Sequence, residues 1–240
     1  MKYFVISDIH AHYSSMIKAL SKNGYDESNN LHHLLVLGDL FDRGPEVIKV
    51  LEYLYRLSEE KKATILLGNH DVFLQDFLDE NYERTFFNIR YNGFGNTLEQ
   101  LSGLSTTRDS LSDIHKIINN QFPFLKKWIS SFLLFLEIED YIFVHGGIDG
   151  GKLDWKTMSS KKEFTWGKEY DLPRVLGKTV VCGHTRVATL RHKAKDYELM
   201  FLHSPELFDI LYLEGKIMID RYVEVSKEIN VLTLDLKALK

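Results

Sequence analysis

The sequence predicts an α/β fold, with a β-α-β-α-β first half that contains a parallel sheet segment and a strand-rich second half. Three observations carry this. The short runs KYFVIS, HHLLVLG and ATILLG are apolar almost throughout, as expected of strands buried on both faces. Between them lie two helical patterns. SSMIKALSKNG has apolar residues at helical spacing and a glycine stop. PEVIKVLEYLYRLSEEKK opens with Pro45 in its first turn and carries Val47, Val50, Leu51, Leu54 and Leu57 on one face. Strands and helices that alternate in this order lie side by side and parallel.

After NHDVFLQDFLDE the pattern loosens. Residues from about 81 to 127 are rich in Asn, Ser and Thr with scattered aromatics, and read as a mostly helical excursion. FLLFLEIEDYIFVHGG then predicts a hairpin turning at Glu139 and Asp140, and KTVVCGHT predicts a further strand. ELMFLH, FDILYLEGKIMID and INVLTLDL read as C-terminal strands, with a turn at Gly215, and predict a second, largely antiparallel sheet. No internal repeat, low-complexity tract or linker breaks residues 1–240, so a single domain is expected.

The 240 residues carry a formal net charge of -4, without the basic excess that nucleic acid or an anionic membrane would require. Cys182 is the single cysteine, so no internal disulfide forms and a reducing, cytoplasmic setting is expected. It reads as a small buried strand residue, not a nucleophile. The N-terminal run MKYFVISDIHAHY is broken by Asp8 and His10, unlike a signal peptide or a membrane span.

Five predicted strands end in clusters of one chemical kind. They are Asp8-x-His10, Asp39-x-x-Asp42-Arg43, Asn69-His70-Asp71, His145-Gly-Gly and Gly-His184-Thr. The carboxyl ends of strands in an open α/β sheet line one crevice, so clusters far apart in sequence have a reason to converge. Carboxylate, imidazole and amide oxygen together suit manganese, iron or zinc, and two such ions can share a carboxylate. Each cluster alone has a bland reading: Asp39 and Asp42 as a solvated turn, His145 and His184 as ordinary strand-end histidines. Their recurrence after five apolar runs argues against it. His203 is a further histidine that could approach the crevice. Trp128 and Trp155 read as packing residues and Trp166 as a wall of the site.

SDIH, GDLFDRG, GNHD, HGG and GHT, in that order, resemble the phosphoprotein phosphatases among the calcineurin-like metallophosphoesterases, most closely the small bacterial and lambda-phage-type members. The resemblance implies two packed mixed β-sheets flanked by helices. It implies two divalent ions, manganese first, with iron or zinc as alternatives. Asp8, His10 and Asp39 would hold one ion, and Asp39, Asn69, His145 and His184 the other. A hydroxide between the ions would attack phosphorus in line. His70 would protonate the leaving oxygen and Asp42 would orient it. Arg43 would clamp the phosphate, helped by Asn69. Ser7 and Ala11 stand where the family usually has glycine, and Asp71 where glutamate is common. Arg186 stands where many other metallophosphoesterases have a histidine. A phosphate-binding arginine usually follows the tryptophan by two residues; here Lys168 stands there, and Arg174 is the other candidate.

The expected activity is therefore a metal-dependent phosphomonoesterase of the protein serine/threonine phosphatase type, with phosphotyrosine as a further substrate. The expected partner is a phosphorylated protein or a small phosphoester. The alternative is a dinucleoside polyphosphate hydrolase, for which Arg84, Arg90 and Arg108 and nearby aromatics would supply a nucleotide pocket. The short chain and the lack of a nucleotide-binding signature favour the first. A non-catalytic phosphate-binding protein would have lost a ligand or the acid, and none is lost.

Overall fold

A computed structural model describes residues 1–167 and 177–238. The first half folds as β1 (Lys2–Ile6), α1 (Tyr13–Lys22), β2 (His32–Val36), α2 (Val47–Glu59), β3 (Ala63–Ile65) and α3 (Asn69–Leu78). Both predicted helices form, though α2 begins two residues after Pro45, with Glu46 as its N-cap. β1, β2 and β3 pair in parallel, Val5 opposite Leu35 and Val36 opposite Ile65. Residues 81–127 hold α4 (Thr85–Tyr91), α5 (Phe94–Ser102) and α6 (Leu111–Gln121); α7 (Leu125–Ser130) follows.

The hairpin β4 (Phe135–Ile138) and β5 (Tyr141–Val144) turns at Glu139 and Asp140, as the sequence predicts. Then come α8 (Trp155–Met158), α9 (Lys161–Trp166), β6 (Thr179–Cys182), α10 (Val187–Arg191), α11 (Tyr197–His203), β7 (Leu211–Leu213), β8 (Lys216–Met218), α12 (Val223–Ser226) and β9 (Leu232–Asp235). Two mixed sheets result, in the orders β3-β2-β1-β9 and β4-β5-β6-β8-β7.

Three expectations for the C-terminal part are corrected. ELMFLH lies in the helix α11, capped by the Asp196 carboxylate on the Leu199 N–H at 2.9 Å. A run this short fits either period, and the cap decides. INVLTLDL contributes β9 to the first sheet, antiparallel to β1 with Lys2 opposite Asp235, not to the second. The second sheet is parallel at its centre, β5-β6-β8, and antiparallel only at its edges.

Side-chain alternation builds the layers. Tyr3, Val5 and Leu35 of the first sheet meet Phe143, Val181 and Ile217 of the second in one buried cluster. Phe4, Ile6, Leu34 and Val36 point the other way, onto Val47, Val50, Leu51, Leu54 and Leu57 of α2 and onto Phe94, Leu98 and Leu101 of α5. Ile142, Val144, Val180 and Cys182 form the outer face of the second sheet, covered by Trp155 of α8 and Phe164 of α9. A strand with both faces covered must be apolar at every position, which is why these runs show no polar alternation. Trp128 and Trp155 are buried as packing residues. Cys182 is a buried thiol, and burial pushes its pKa up to about 11, which removes it as a nucleophile. Among the described residues, no helix is long and apolar enough to cross a membrane.

Phe143 is fully buried between the sheets. Phe143→Ala should lower unfolding stability by about 3–5 kcal/mol in urea denaturation; a loss under about 1 kcal/mol would contradict this packing.

Candidate metal centre

Each of the five clusters lies just beyond a strand: Asp8 after β1, Asp39 after β2, Asn69 after β3, His145 after β5 and His184 after β6. The chain turns sharply there. Asp8 (φ 50°), His10 (43°), Ala11 (55°), Asp39 (54°), Asp42 (70°), Arg43 (62°) and His184 (59°) all adopt the left-handed conformation. This costs a non-glycine residue on the order of 1–2 kcal/mol, and such residues concentrate at functional sites. Ala11 thus holds, with strain, a conformation that glycine would adopt freely.

The two sheets are tied together at this edge. His145 Nδ1 donates to the Leu37 carbonyl at 2.6 Å, and the His184 N–H donates to Asp8 Oδ2 at 3.0 Å. Asp71 sits in the first turn of α3, where its carboxylate accepts the N–H groups of Asp39 (2.9 Å), Leu40 (3.0 Å) and Gly68 (2.9 Å). It therefore clamps the Asp39 turn to the start of α3. A Cβ on Gly68 would lie 2.2 Å from Asp39 Oδ1, and one on Gly183 would lie 2.2 Å from Asp8 Oδ2. Glycine is required at both places so that two carboxylates can approach the backbone.

Among the described residues, the donor atoms converge in two groups that share Asp39. One contains His10, Asp39 and His70, the other Asp39, His145 and His184, with donors within 4.8 Å of one another in each. Asn69 Oδ1 lies 3.0 Å from His145 Nε2 and 2.8 Å from His184 Nδ1. Asp8 lines the same pocket of about 240 Å³. His10 Nδ1 is held by the Phe41 carbonyl at 2.9 Å, as His145 Nδ1 is by Leu37, which directs each Nε2 inward. Burial, then the Arg43 guanidinium, pushes His10 down to about 3, so its ring is neutral and its Nε2 can accept. Burial raises Asp8 to about 6; His145 opposes this and Asp39 adds to it. Burial opposes charging of His145, but Asp39, 3.4 Å away, and Asp8 outweigh it and push the ring up to about 10. Buried carboxylates, inward ring nitrogens and an amide oxygen form a donor set that fits divalent cations of the manganese, iron and zinc kind.

Beside this set lies a polar chain. His70 Nδ1 meets Asp42 Oδ2 at 2.5 Å, and the His70 N–H donates to Asp39 Oδ1 at 2.9 Å. The other Asp42 oxygen accepts from the Thr97 hydroxyl of α5 at 2.5 Å, and Thr97 Oγ1 accepts the Asp42 N–H at 2.9 Å. Arg43 reaches His10 Nε2 and His70 Nε2, each at 2.8 Å, and Glu224 Oε1 at 2.5 Å. Thus Asp8, His10, Asp39, Asp42, Arg43, Asn69, His70, His145 and His184 come together as the motif order predicts. Trp166 walls the pocket and is 37% exposed. His203 is exposed in α11 and does not line it. Lys168 and Arg174 lie outside the described residues.

Sequence reasoning missed Thr97, Glu224 and the clamping role of Asp71. Thr97 and Glu224 stand in no motif and are 55 and 181 residues from their partners. Asp71 alone left a signal, as an acid in the first turn of a helix whose N-terminal N–H groups need acceptors.

Comparison with known proteins corrects the expected activity. The chain is similar to the asymmetrical bis(5′-nucleosyl)-tetraphosphatase of Oceanobacillus iheyensis, 27% identical over 219 residues, covering 86% of this chain and 78% of that protein. It is also similar to the symmetrical bis(5′-nucleosyl)-tetraphosphatase of Buchnera aphidicola, 37% identical over 89 residues, 34% of this chain; the match spans only 31% of that relative's length. These relatives overturn the protein serine/threonine phosphatase reading in favour of the dinucleoside polyphosphate alternative. The physical reason is that the five motifs specify phosphoryl chemistry, while the carrier of the phosphate is selected by loops that no motif describes. The cold-active protein-tyrosine phosphatase of a psychrophilic Shewanella species superposes with a TM-score of 0.57 at 20% identity, covering 98% of this chain and 75% of that one; this likeness shows the fold alone. Residues 1–211 match the family described as calcineurin-like phosphoesterase, and the chain belongs to that family of metallophosphoesterases.

Proposed function

We propose that this protein hydrolyses dinucleoside polyphosphates such as diadenosine tetraphosphate. The observation that carries this reading is the tetraphosphatase relative whose likeness runs over 86% of the chain. The pocket is compatible with it, being open, polar and lined by Asp8, His10, Asp39, Asn69, His70 and His184, with His145 buried behind them.

In this reading Asp8, His10 and Asp39 would hold one divalent ion and Asp39, Asn69, His145 and His184 the other. Manganese, iron and zinc all suit such a mixed oxygen and imidazole set, and manganese is the first of them to test. When bound, the ions supply Lewis-acid charge at the phosphoryl oxygens and activate water. Arg43 turns its planar fork from His10 and His70 to the phosphate, a bidentate match that lysine could not make. His70, oriented through Nδ1 by Asp42, presents Nε2 to the leaving phosphate and delivers its proton. Thr97 fixes Asp42 from the far side, so the helical excursion positions the acid. A cytoplasmic setting suits the free thiol of Cys182.

Four outcomes follow. Diadenosine tetraphosphate should be cleaved with kcat/KM at least about 100-fold above that for a phosphoserine peptide, with products resolved by chromatography as two ADP or as ATP and AMP. A preference for the peptide would end this reading. Activity should vanish on dialysis against a chelator and return with manganese, and Asp39→Asn should lose both ions by elemental analysis. His70→Asn should lower kcat by about 10²–10⁴-fold with metal content intact; joint loss of metal would make His70 a ligand instead. Thr97→Val should slow turnover by about tenfold at unchanged metal content, because the hydroxyl holds Asp42 and touches no donor of the ions.

A further inference from the structure

A second guanidinium stands at the pocket edge and is unused in the chemistry above. Arg186 follows His184 and Thr185 in the loop after β6 and lines the same pocket as Arg43. One oxygen, Glu224 Oε1, accepts from Arg43 Nη1 at 2.5 Å and from Arg186 Nη2 at 2.8 Å. The Arg186 guanidinium carbon lies 4.0 Å from the centroid of the Tyr222 ring. Tyr222 is itself fixed, in a left-handed conformation at the N-cap of α12, with its N–H on Asp220 Oδ1 at 2.7 Å. The guanidinium is thus held on one side by a ring and on one edge by a carboxylate.

Glu224 would be neutralised by Arg43 alone. Arg186 also faces the buried carboxyl group of Asp220, and its side chain remains 33% exposed at the rim. A guanidinium has five N–H donors, so the bond to Glu224 leaves most of the fork open to the pocket. A phosphomonoester offers one phosphate, which Arg43 serves. A polyphosphate chain offers further anionic phosphates that extend away from the point of attack, and these call for a second cation on the same wall.

We propose that Arg186 is a second phosphate-binding residue, engaging a phosphate of the polyphosphate chain other than the one under attack, with Glu224 and Tyr222 holding its fork in position. This rests on the dinucleoside polyphosphate reading. It also identifies what distinguishes that substrate from a monoester at this site: a rigid cation placed beside, not at, the reacting phosphorus. Stacking and the shared carboxylate reduce the side-chain entropy lost when the substrate binds.

The test compares Arg186→Gln and Arg186→Lys with the wild type in the manganese-loaded enzyme. For Arg186→Gln, KM for diadenosine tetraphosphate should rise about 10-fold or more, and the kcat/KM ratio of this substrate over an aryl phosphate should fall by a similar factor. Competitive inhibition of aryl phosphate hydrolysis by ADP should weaken about 10-fold relative to inhibition by orthophosphate. Arg186→Lys, which keeps the charge but loses the planar fork, should fall between. Equal losses on both substrates, or an unmoved ratio at an unchanged thermal midpoint, would overturn the role. A wild-type enzyme that leaves the dinucleotide intact, yet shows the ADP effect through Arg186, would overturn the proposed function and leave this residue's role standing.

Discussion

The site depends on how closely the Asp39 turn is pressed against the start of α3. Gly38 and Gly68 make the approach sterically feasible, since a Cβ on Gly38 would lie 2.4 Å from the Gly68 nitrogen. Asp71 then holds the turn by accepting three backbone N–H groups, and Asp39 in turn accepts the His70 N–H. The carboxylate common to both candidate ligand groups is therefore fixed from two strands and one helix. Burial, then the repulsion of Asp39, raises Asp71 to about 7, so the clamp is itself under electrostatic load. Strained backbone and crowded carboxylates are tolerated because the two apolar layers behind them hold the strand ends in place.

The helical excursion and the C-terminal region each reach into this centre from one side. α5 contributes Thr97 to Asp42, and α12 contributes Glu224 to Arg43. His70 and Arg43 are neighbours across the pocket, yet they are positioned by different parts of the chain. A change in either part can shift His70 or Arg43 without touching the donor atoms grouped around Asp39. This separation of reaction centre from surroundings is how one centre serves several phosphoester classes, and why motif order alone led to a protein phosphatase where the relatives are tetraphosphatases.

Most of the fold was legible in the sequence where a local rule governs it. Apolar runs followed by polar clusters marked β1, β2, β3, β5 and β6, because a strand covered on both faces has no polar position until it ends. The periodic faces of α1 and α2 were equally clear. Local rules failed at ELMFLH, where six residues fit either period, and at β9, where a strand-like run does not say which sheet it joins. The candidate site divides in the same way. Its motif residues were legible because each ends a strand, whereas Thr97, Glu224 and the stacking of Arg186 on Tyr222 exist only between segments far apart in the chain.

The sequence by itself determined the chemistry offered: carboxylates, imidazoles, an amide and an arginine at five strand ends, with glycines where the backbone must turn. These follow from residue type and from the period of a buried strand, which are local properties. Only the tertiary structure decided that the two sheets pack face to face with their strand ends tied by His145 and Leu37, that Thr97 holds Asp42 from the far side, and that one Glu224 oxygen spans Arg43 and Arg186. Those relations depend on packing between residues separated by tens to hundreds of positions, and no periodicity in the chain encodes them.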